Sequence, residues 1–217
     1  MTYTGDVTVG GPQDTREIGG VTLTKLAVGE MHNNAYLLVD GTGQGLLIDA
    51  AAEPERLLAM IGDTPVVKIV TTHQHHDHWQ ALAAVKAATG AVTVAHPADA
   101  PGIPVPTDEL VEDGGMIGFG DTVLSVTHLV GHTPGSIALT LDADGPAPHL
   151  FTGDCLFPGG VGNTQQDPER FASLYADVAA KIFGRLPDAT WVYPGHGGDT
   201  TLGAERPHLA EWRERGW

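Results

Sequence analysis

The chain has one cysteine, Cys155, so it can form no intramolecular disulfide, which agrees with a reducing compartment. Basic residues are scarce. With 11 Lys and Arg against 27 Asp and Glu, the net charge of −16 repels a phosphate backbone and argues against nucleic acid as a partner. No apolar run approaches the ~20 residues that a membrane span requires. The first residues, Met1-Thr2-Tyr3-Thr4-Gly5-Asp6, lack the basic and then apolar pattern of a secretion signal. These absences lead to the expectation of a soluble, cytoplasmic protein with no membrane partner; they leave its oligomeric state open.

What is present is concentrated in Thr71-Thr72-His73-Gln74-His75-His76-Asp77-His78. It follows the apolar run Val66-Val67-Lys68-Ile69-Val70, which reads as a buried strand. If the chain stays extended past that strand, the period of two puts His73 and His75 on one side, where a single cation can hold both. Ala81 to Ala88 reads as a helix, so Asp77 and His78 are expected near its first turn, pointing back to the strand end. Asp77 could serve only as the helix N-cap. Four such residues within six positions nevertheless point to a metal site, with imidazoles suiting zinc and a carboxylate suiting a harder or second cation.

Along the rest of the chain, residues 1–20 are polar and Gly-rich and read as an irregular lead-in to the same domain, with residues 21–217 forming it. Val21 to Val28, Ala35 to Val39 and Gly45 to Ile48 read as strands, and Asp49 ends the third. Pro54 to Ile61 reads as a helix. Val92 to Ala95, Asp121 to Leu129, Ile137 to Leu141, His149 to Thr152 and Thr190 to Tyr193 read as further strands. The stripe from Phe171 to Phe183, opened by Asp167-Pro168-Glu169, is the clearest helix, and Pro207 to Arg215 a short last one. No linker divides the chain. Strands followed by helices, twice over, imply an α/β fold in which two sheets pack face to face with helices outside, a four-layer αββα sandwich. His132, Asp154 and His196 each follow a strand with glycine adjacent, so all three can converge on one edge.

With Thr72 to His78, Gly131-His132-Thr133-Pro134-Gly135-Ser136, Thr152-Gly153-Asp154 and Pro194-Gly195-His196-Gly197 in this order, the chain resembles the metallo-β-lactamase superfamily, and within it the glyoxalase II branch. The resemblance implies that His73, His75 and His132 hold a first metal, that Asp77, His78 and His196 hold a second, and that Asp154 bridges them. Those metals are usually zinc and sometimes iron or manganese. Two metals roughly 3.5–4 Å apart can share a water and lower its pKa toward ~7, which gives a hydroxide at neutral pH. Asp77 and Asp154 are then the catalytic carboxylates, Asp154 also orienting the hydroxide.

The expected activity is hydrolysis of a small-molecule thioester, an S-2-hydroxyacyl conjugate of a small thiol. A persulfide dioxygenase with one iron is the alternative from another enzyme class, and lactonase or β-lactamase chemistry would use the same hydroxide. Trp79-Gln80 and Asn163 stand where that branch commonly has two glycines and a basic residue. Arg206 is a candidate for meeting an anionic carrier, although a surface pair with Glu205 or Glu211 is its more ordinary role. His76 and His128 are expected to support the metal ligands through hydrogen bonds.

Overall fold

Short apolar runs punctuated by Gly, Asp and Pro fold into two mixed sheets in the computed structural model of the protein, which describes residues 2–142, 145 and 147–216. The first sheet takes its strands in chain order: β1 (Asp14–Ile18), β2 (Val21–Val28), β3 (Asn33–Val39), β4 (Gly45–Ile48), β5 (Val66–Val70), β6 (Val92–Ala95) and β7 (Glu109–Leu110). Its first four strands are antiparallel; from β4 onward the pairing is parallel. Parallel neighbours need crossovers, and helices α1 (Pro54–Ile61) and α2 (Leu82–Thr89) supply two of them. Pro54 opens α1, while Gly62 and Gly90, both at positive φ, close α1 and α2 by donating to Leu58 and Lys86 carbonyls.

The second sheet contains β8 (Met116–Phe119), β9 (Thr122–His128), β10 (Ile137–Leu141), β11 (His149–Gly153), β14 (Trp191–Pro194) and β15 (Thr200–Thr201), in the order β15-β14-β11-β10-β9-β8. A separate two-stranded ribbon is made by β12 (Leu156–Phe157) and β13 (Gly160–Val161). Helix α3 (Pro168–Asp177) makes the crossover from β11 to its parallel neighbour β14. It is capped by Asp167, whose side chain accepts from the Glu169 and Arg170 amides, and it runs on into a wider turn over Val178–Phe183. Short helices α4 (Leu202–Glu205) and α5 (Leu209–Arg215) follow β15.

Three apolar layers hold these elements together. Tyr36, Leu38 and Ile48 of the first sheet meet Leu124, Leu139 and Phe151 of the second between the sheets. The opposite face of the first sheet, through Leu37, Leu47 and Ile69, packs on Leu57 of α1 and Val85 of α2. The outer face of the second sheet packs through Ala138, Leu150 and Val192 on Leu174 of α3 and Trp212 of α5. This is the four-layer αββα sandwich. Both faces of each sheet are covered, so β3 and β10 read as nearly continuous apolar runs instead of alternating ones. Truncating a fully buried leucine such as Leu174 is expected to cost about 2–5 kcal/mol.

Two sequence expectations need correction. The lead-in is not irregular throughout, because Asp14–Ile18 pairs along its whole length with β2 as the edge strand β1. Asp77 does not cap α2: His76–His78 form a separate 3₁₀ turn, and α2 begins at Leu82.

The topology decides where the chemistry falls. Since β10 is antiparallel to both β9 and β11, and β11 is parallel to β14, the three strands leading to His132, Asp154 and His196 all run the same way and end at one edge. In the first sheet β4 and β5 end together, beside the start of antiparallel β3. Asn33, Asp49 and His73 therefore share that sheet's edge.

Candidate metal centre

At the end of β5 the extended chain carries His73 and His75 forward, as the period of two requires. His73 Nε2 lies 3.1 Å from His75 Nδ1 and 3.2 Å from His132 Nε2, delivered from beyond β9. These atoms form one group within 4.8 Å of one another. Asp77 and His78, on the 3₁₀ turn, form a second group with His196 from beyond β14. His78 Nε2 and His196 Nε2 are each 3.4 Å from Asp77 Oδ2.

Asp154, just past β11, stands between the groups. Its Oδ2 is 3.6 Å from His132 Nε2 and 3.3 Å from His196 Nε2, and its Oδ1 is 3.4 Å from His78 Nε2. Glycine makes room for it: a Cβ on Gly195 would fall 2.2 Å from Asp154 Oδ1 and 2.8 Å from His78 Cε1. All seven residues named from the sequence motifs thus meet in one place.

Sequence reading missed the residues that aim the rings. Asp49, at the end of β4 and at φ +58°, accepts hydrogen bonds from the Thr72 amide and hydroxyl at 2.8 Å each and lies 2.8 Å from His78 Nδ1. The Thr72 hydroxyl, having donated to Asp49, lies 3.1 Å from His73 Nδ1 and can accept from it. His132 Nδ1 faces the Asn163 carbonyl at 2.8 Å, and His196 Nδ1 faces the Met31 carbonyl at 2.8 Å. In all four rings an acceptor at Nδ1 leaves Nε2 free to face the cluster. His75 is turned the other way and presents Nδ1. Asn33 donates to Asp77 Oδ2 at 2.8 Å.

A further buried carboxylate, Asp99, ties two of the motif loops together. It accepts from the Gln74 amide at 2.9 Å, the Gly135 amide at 2.7 Å and the Thr133 hydroxyl at 2.5 Å. The strand-end position of Asp49 is the sequence signal that could have found it. Asp99, in a proline-punctuated loop, carries no such signal.

Electrostatics divides the two groups. Burial holds His73 well below the usual histidine range and His132 down at about 4, and His75 is lowered for the same reason. Burial also opposes charge on His78 and His196, but there the carboxylates win. Asp49 and Asp154 raise His78 well above its ordinary value, and hydrogen bonds to Asp154 and Asp77 bring His196 up to about 9. Asp77 and Asp154 remain ionised despite their burial, because the imidazoles around them lower both carboxyls.

Other residues singled out in the sequence contribute less. His76 is 69% exposed, its Nδ1 3.9 Å from Asp77 Oδ1 and beyond hydrogen-bond distance, and His128 Nε2 donates to the Pro134 carbonyl at 2.8 Å while its ring stacks on His96. Trp79 donates to the Gln74 carbonyl at 2.8 Å and so braces the histidine loop. Arg206 pairs with Asp188, not with Glu205 or Glu211, and its guanidinium also holds the Phe183 and Leu186 carbonyls. Cys155 is fully buried in the core beside α3.

The donor set fits divalent metal. Imidazole nitrogens face one another at distances where each needs a partner that accepts a lone pair, and Asp154 Oδ1 is buried without a hydrogen-bond partner.

Comparison with known proteins agrees with this chemistry. The family model described as the Metallo-beta-lactamase superfamily matches residues 28–196. A hydroxyacylglutathione hydrolase of Polaromonas sp. strain JS666 is 41% identical over 165 residues, covering 75% of this chain and 61% of that relative. The chain thus spans less than two thirds of that protein's length. Among solved structures, TTHA1623 in a di-iron-bound form matches with a TM-score of 0.70 and 36% identity, over 84% of this chain and 96% of the other. ETHE1 from Myxococcus xanthus matches with a TM-score of 0.77 and 30% identity, over 88% and 84%.

Proposed function

The chain belongs to the metallo-beta-lactamase superfamily, whose members bind metal ions, and on that premise we propose that it is a two-metal hydrolase of small-molecule thioesters. In this reading His73, His75 and His132 hold one divalent cation, Asp77, His78 and His196 the other, and Asp154 both. Zinc is the expected metal, with iron or manganese as alternatives. The observation that carries the proposal is the Asp154 carboxylate, which faces both histidine groups and has one buried oxygen without a hydrogen-bond partner.

Bound cations would polarise a substrate carbonyl and make a hydroxide nucleophile available at neutral pH. The protein's own part is to hold the ligands still. Asp49 and Thr72 fix the tilt of His78 and His73, Asn33 fixes Asp77, and Gly195 lets Asp154 approach. Asp154 would also orient the attacking hydroxide. That hydroxide would add through its oxygen to the thioester carbon and keep its proton on the product carboxyl group, while the C–S bond breaks and the thiolate leaves with the electron pair. It departs readily, so the site needs no dedicated acid. The relative named hydroxyacylglutathione hydrolase supports a 2-hydroxyacyl thioester as substrate.

Metal content and turnover of three variants test the assignment. Asp154→Ala should deplete both metals and abolish turnover, whereas His78→Ala and His196→Ala should mainly deplete the second. Full two-metal occupancy in the Asp154 variant sinks it. For the substrate, S-lactoyl thioesters of several thiols are compared with a lactone and a β-lactam; a far higher kcat/KM for either of the latter overturns the thioesterase reading. The likeness to ETHE1 accords with a second reading, an iron-dependent dioxygenase acting on a persulfide. One iron per chain with oxygen uptake would favour it, and two zinc ions would favour hydrolysis.

A further inference from the structure

Beside His75 and His132 opens a cleft of about 450 Å³, bordered by Gln74, Pro134, Gln165 and Arg170. Arg170 lies in the first turn of α3 with its side chain half-buried. Its Nε donates to the Gly131 carbonyl at 2.8 Å, Nη1 to Gln165 Oε1 at 2.9 Å, and Nη2 to the His132 carbonyl. Every one of these acceptors is neutral. Arg56, Arg206 and Arg215 each pair with a carboxylate, whereas among the described residues Arg16, Arg170, Arg185 and Arg213 make no ion pair, and of these four Arg170 is the one that lines the cleft beside His75 and His132. A guanidinium offers more N–H donors than these bonds use. In a chain with 27 acidic against 11 basic residues, a guanidinium without an ion pair thus stands beside the histidine cluster, while the Asp167 cap of its own turn accepts from its amide.

The loop beneath it is specifically shaped. Gln165 and Gln166 both sit in the left-handed region, at φ +58° and +60°, a conformation that non-glycine residues hold only at some cost. On the other side of the histidines a second cleft is bordered by Glu30, Met31, His76 and Gln80 and by Glu53, which pairs with Arg56, and no lysine or arginine lines it. An anion is therefore drawn to the Arg170 side, whereas the other cleft offers it no lysine or arginine.

We propose that Arg170 is an anion-binding group of this site and that the preferred substrates are thioesters bearing a carboxylate. The carboxylate seats on the free guanidinium N–H groups while the thioester carbonyl reaches the histidine cluster, and the uncharged end of the substrate lies toward Met31. Planar pairing of guanidinium with carboxylate gives both the energy and the orientation. This rests on the thioesterase reading. The carboxylate can belong to the acyl group or to the thiol, and the chemistry of recognition is the same.

Three probes separate these sources: succinyl-N-acetylcysteamine, with an acyl carboxylate; the butyryl thioester of 3-mercaptopropionate, with a thiol carboxylate; and butyryl-N-acetylcysteamine, with neither. Each is assayed with zinc-loaded wild type, Arg170→Gln and Arg170→Lys, whose bound metal is measured in parallel. Non-cleavable thioether isosteres of the three are titrated calorimetrically as a readout independent of turnover. In the wild type at least one carboxylate probe should exceed the neutral one by about tenfold or more in kcat/KM, mainly through KM. Whichever probe shows it identifies the source. In Arg170→Gln that ratio should fall to near one with metal retained, and Arg170→Lys should lie between.

An unchanged ratio in Arg170→Gln overturns the proposal. So does an equal loss on all three probes accompanied by loss of metal, which would show Arg170 to be only a brace for the His132 loop. If Arg170→Gln does not fold, the ratio in Arg170→Lys decides. If the wild type hydrolyses none of the probes, the thioesterase reading fails, and the titrations then judge the subsite alone. About tenfold weaker binding of a carboxylate isostere to Arg170→Gln supports it, and equal binding rejects it.

Discussion

Asp49 Oδ2 lies 2.8 Å from His78 Nδ1, and the same carboxylate takes the Thr72 amide and hydroxyl, so one buried group aims a histidine of each candidate ligand group. Asp49→Asn is the informative substitution, because Asn also tolerates the left-handed backbone found there. It removes charge without disturbing φ. The expected result is a loss of about 10–100-fold in affinity for the metal at His78, or in activity. Measured by metal titration of the stripped protein, an affinity within about twofold of wild type would show that His78 needs no such partner.

Metal uptake should be coupled to proton release, and unequally for the two sets. His132, at about 4, and His73, also lowered, are already neutral at pH 7 and have no proton to lose. His196, at about 9, and His78, raised well above its ordinary value, are protonated in the metal-free protein at pH 7 and must shed protons to ligate. Affinity for the second metal should therefore rise with pH, by about tenfold per pH unit for each proton displaced, and the contribution of His196 should level off above about pH 9. Calorimetric titration in buffers of different ionisation enthalpy counts the protons. Equal release for the two metals would contradict the charge states described here.

The seven candidate ligands were legible because each sits in a motif of unusual composition: a run of histidines, or a His or Asp flanked by glycine. The fold class was legible because the apolar runs alternate with two helical stretches. What was not legible needed three-dimensional pairing. Asn33 and Asp49 are polar residues at strand ends, a position that marks them only weakly, and the antiparallel β3-β4 and parallel β4-β5 pairings bring them to the edge reached by His73. Arg170 stands inside an ordinary helix opening, and only the approach of α3 to Gly131 and His132 gives it a role. Strand β8, Met-Ile-Gly-Phe, was hidden by its glycine and its two-residue faces, with Met116 exposed and Ile117 buried. The edge strand β1 was hidden by its polar residues, which suit a strand with one neighbour.

Cys155 should be chemically silent in spite of standing next to Asp154. Burial pushes its thiol well up, and the nearby Asp154, Asp99 and Asp177 charges add to this against a hydrogen bond from Ser136 that lowers it. The thiolate needed for reaction is thus absent at neutral pH. A thiol-specific reagent should leave the native protein unlabelled and react after unfolding in denaturant. Cys155→Ala should keep turnover within about twofold and cost about 1 kcal/mol of stability. Loss of turnover with both metals retained would instead give the sulfur a part in the reaction.

The segment after His196 is anchored by a buried ion pair, and its removal should be among the costly single changes. Lys25 is fully buried, and its Nζ lies 2.6 Å from Asp199 Oδ1 while donating to the Gly5 and Gly197 carbonyls at 2.8 Å each. Asp199 Oδ2 accepts from the Tyr3 hydroxyl at 2.6 Å and the Trp191 indole at 3.1 Å. One pair thus fastens the start of the chain to the loop that carries His196. Lys25→Met keeps most of the volume but strands a buried carboxylate and two carbonyls, at an expected cost of about 3–5 kcal/mol. Asn34 also holds the loop through the Pro194 and Gly197 carbonyls, so His196 should be loosened and not released. Denaturant unfolding of Lys25→Met, Asp199→Asn and the double variant measures this, with metal content followed alongside. The double variant should recover part of the Lys25→Met loss, since it leaves no unpaired charge. A cost below about 1 kcal/mol for Lys25→Met would mean that water reaches Asp199 and that the pair does not anchor the loop.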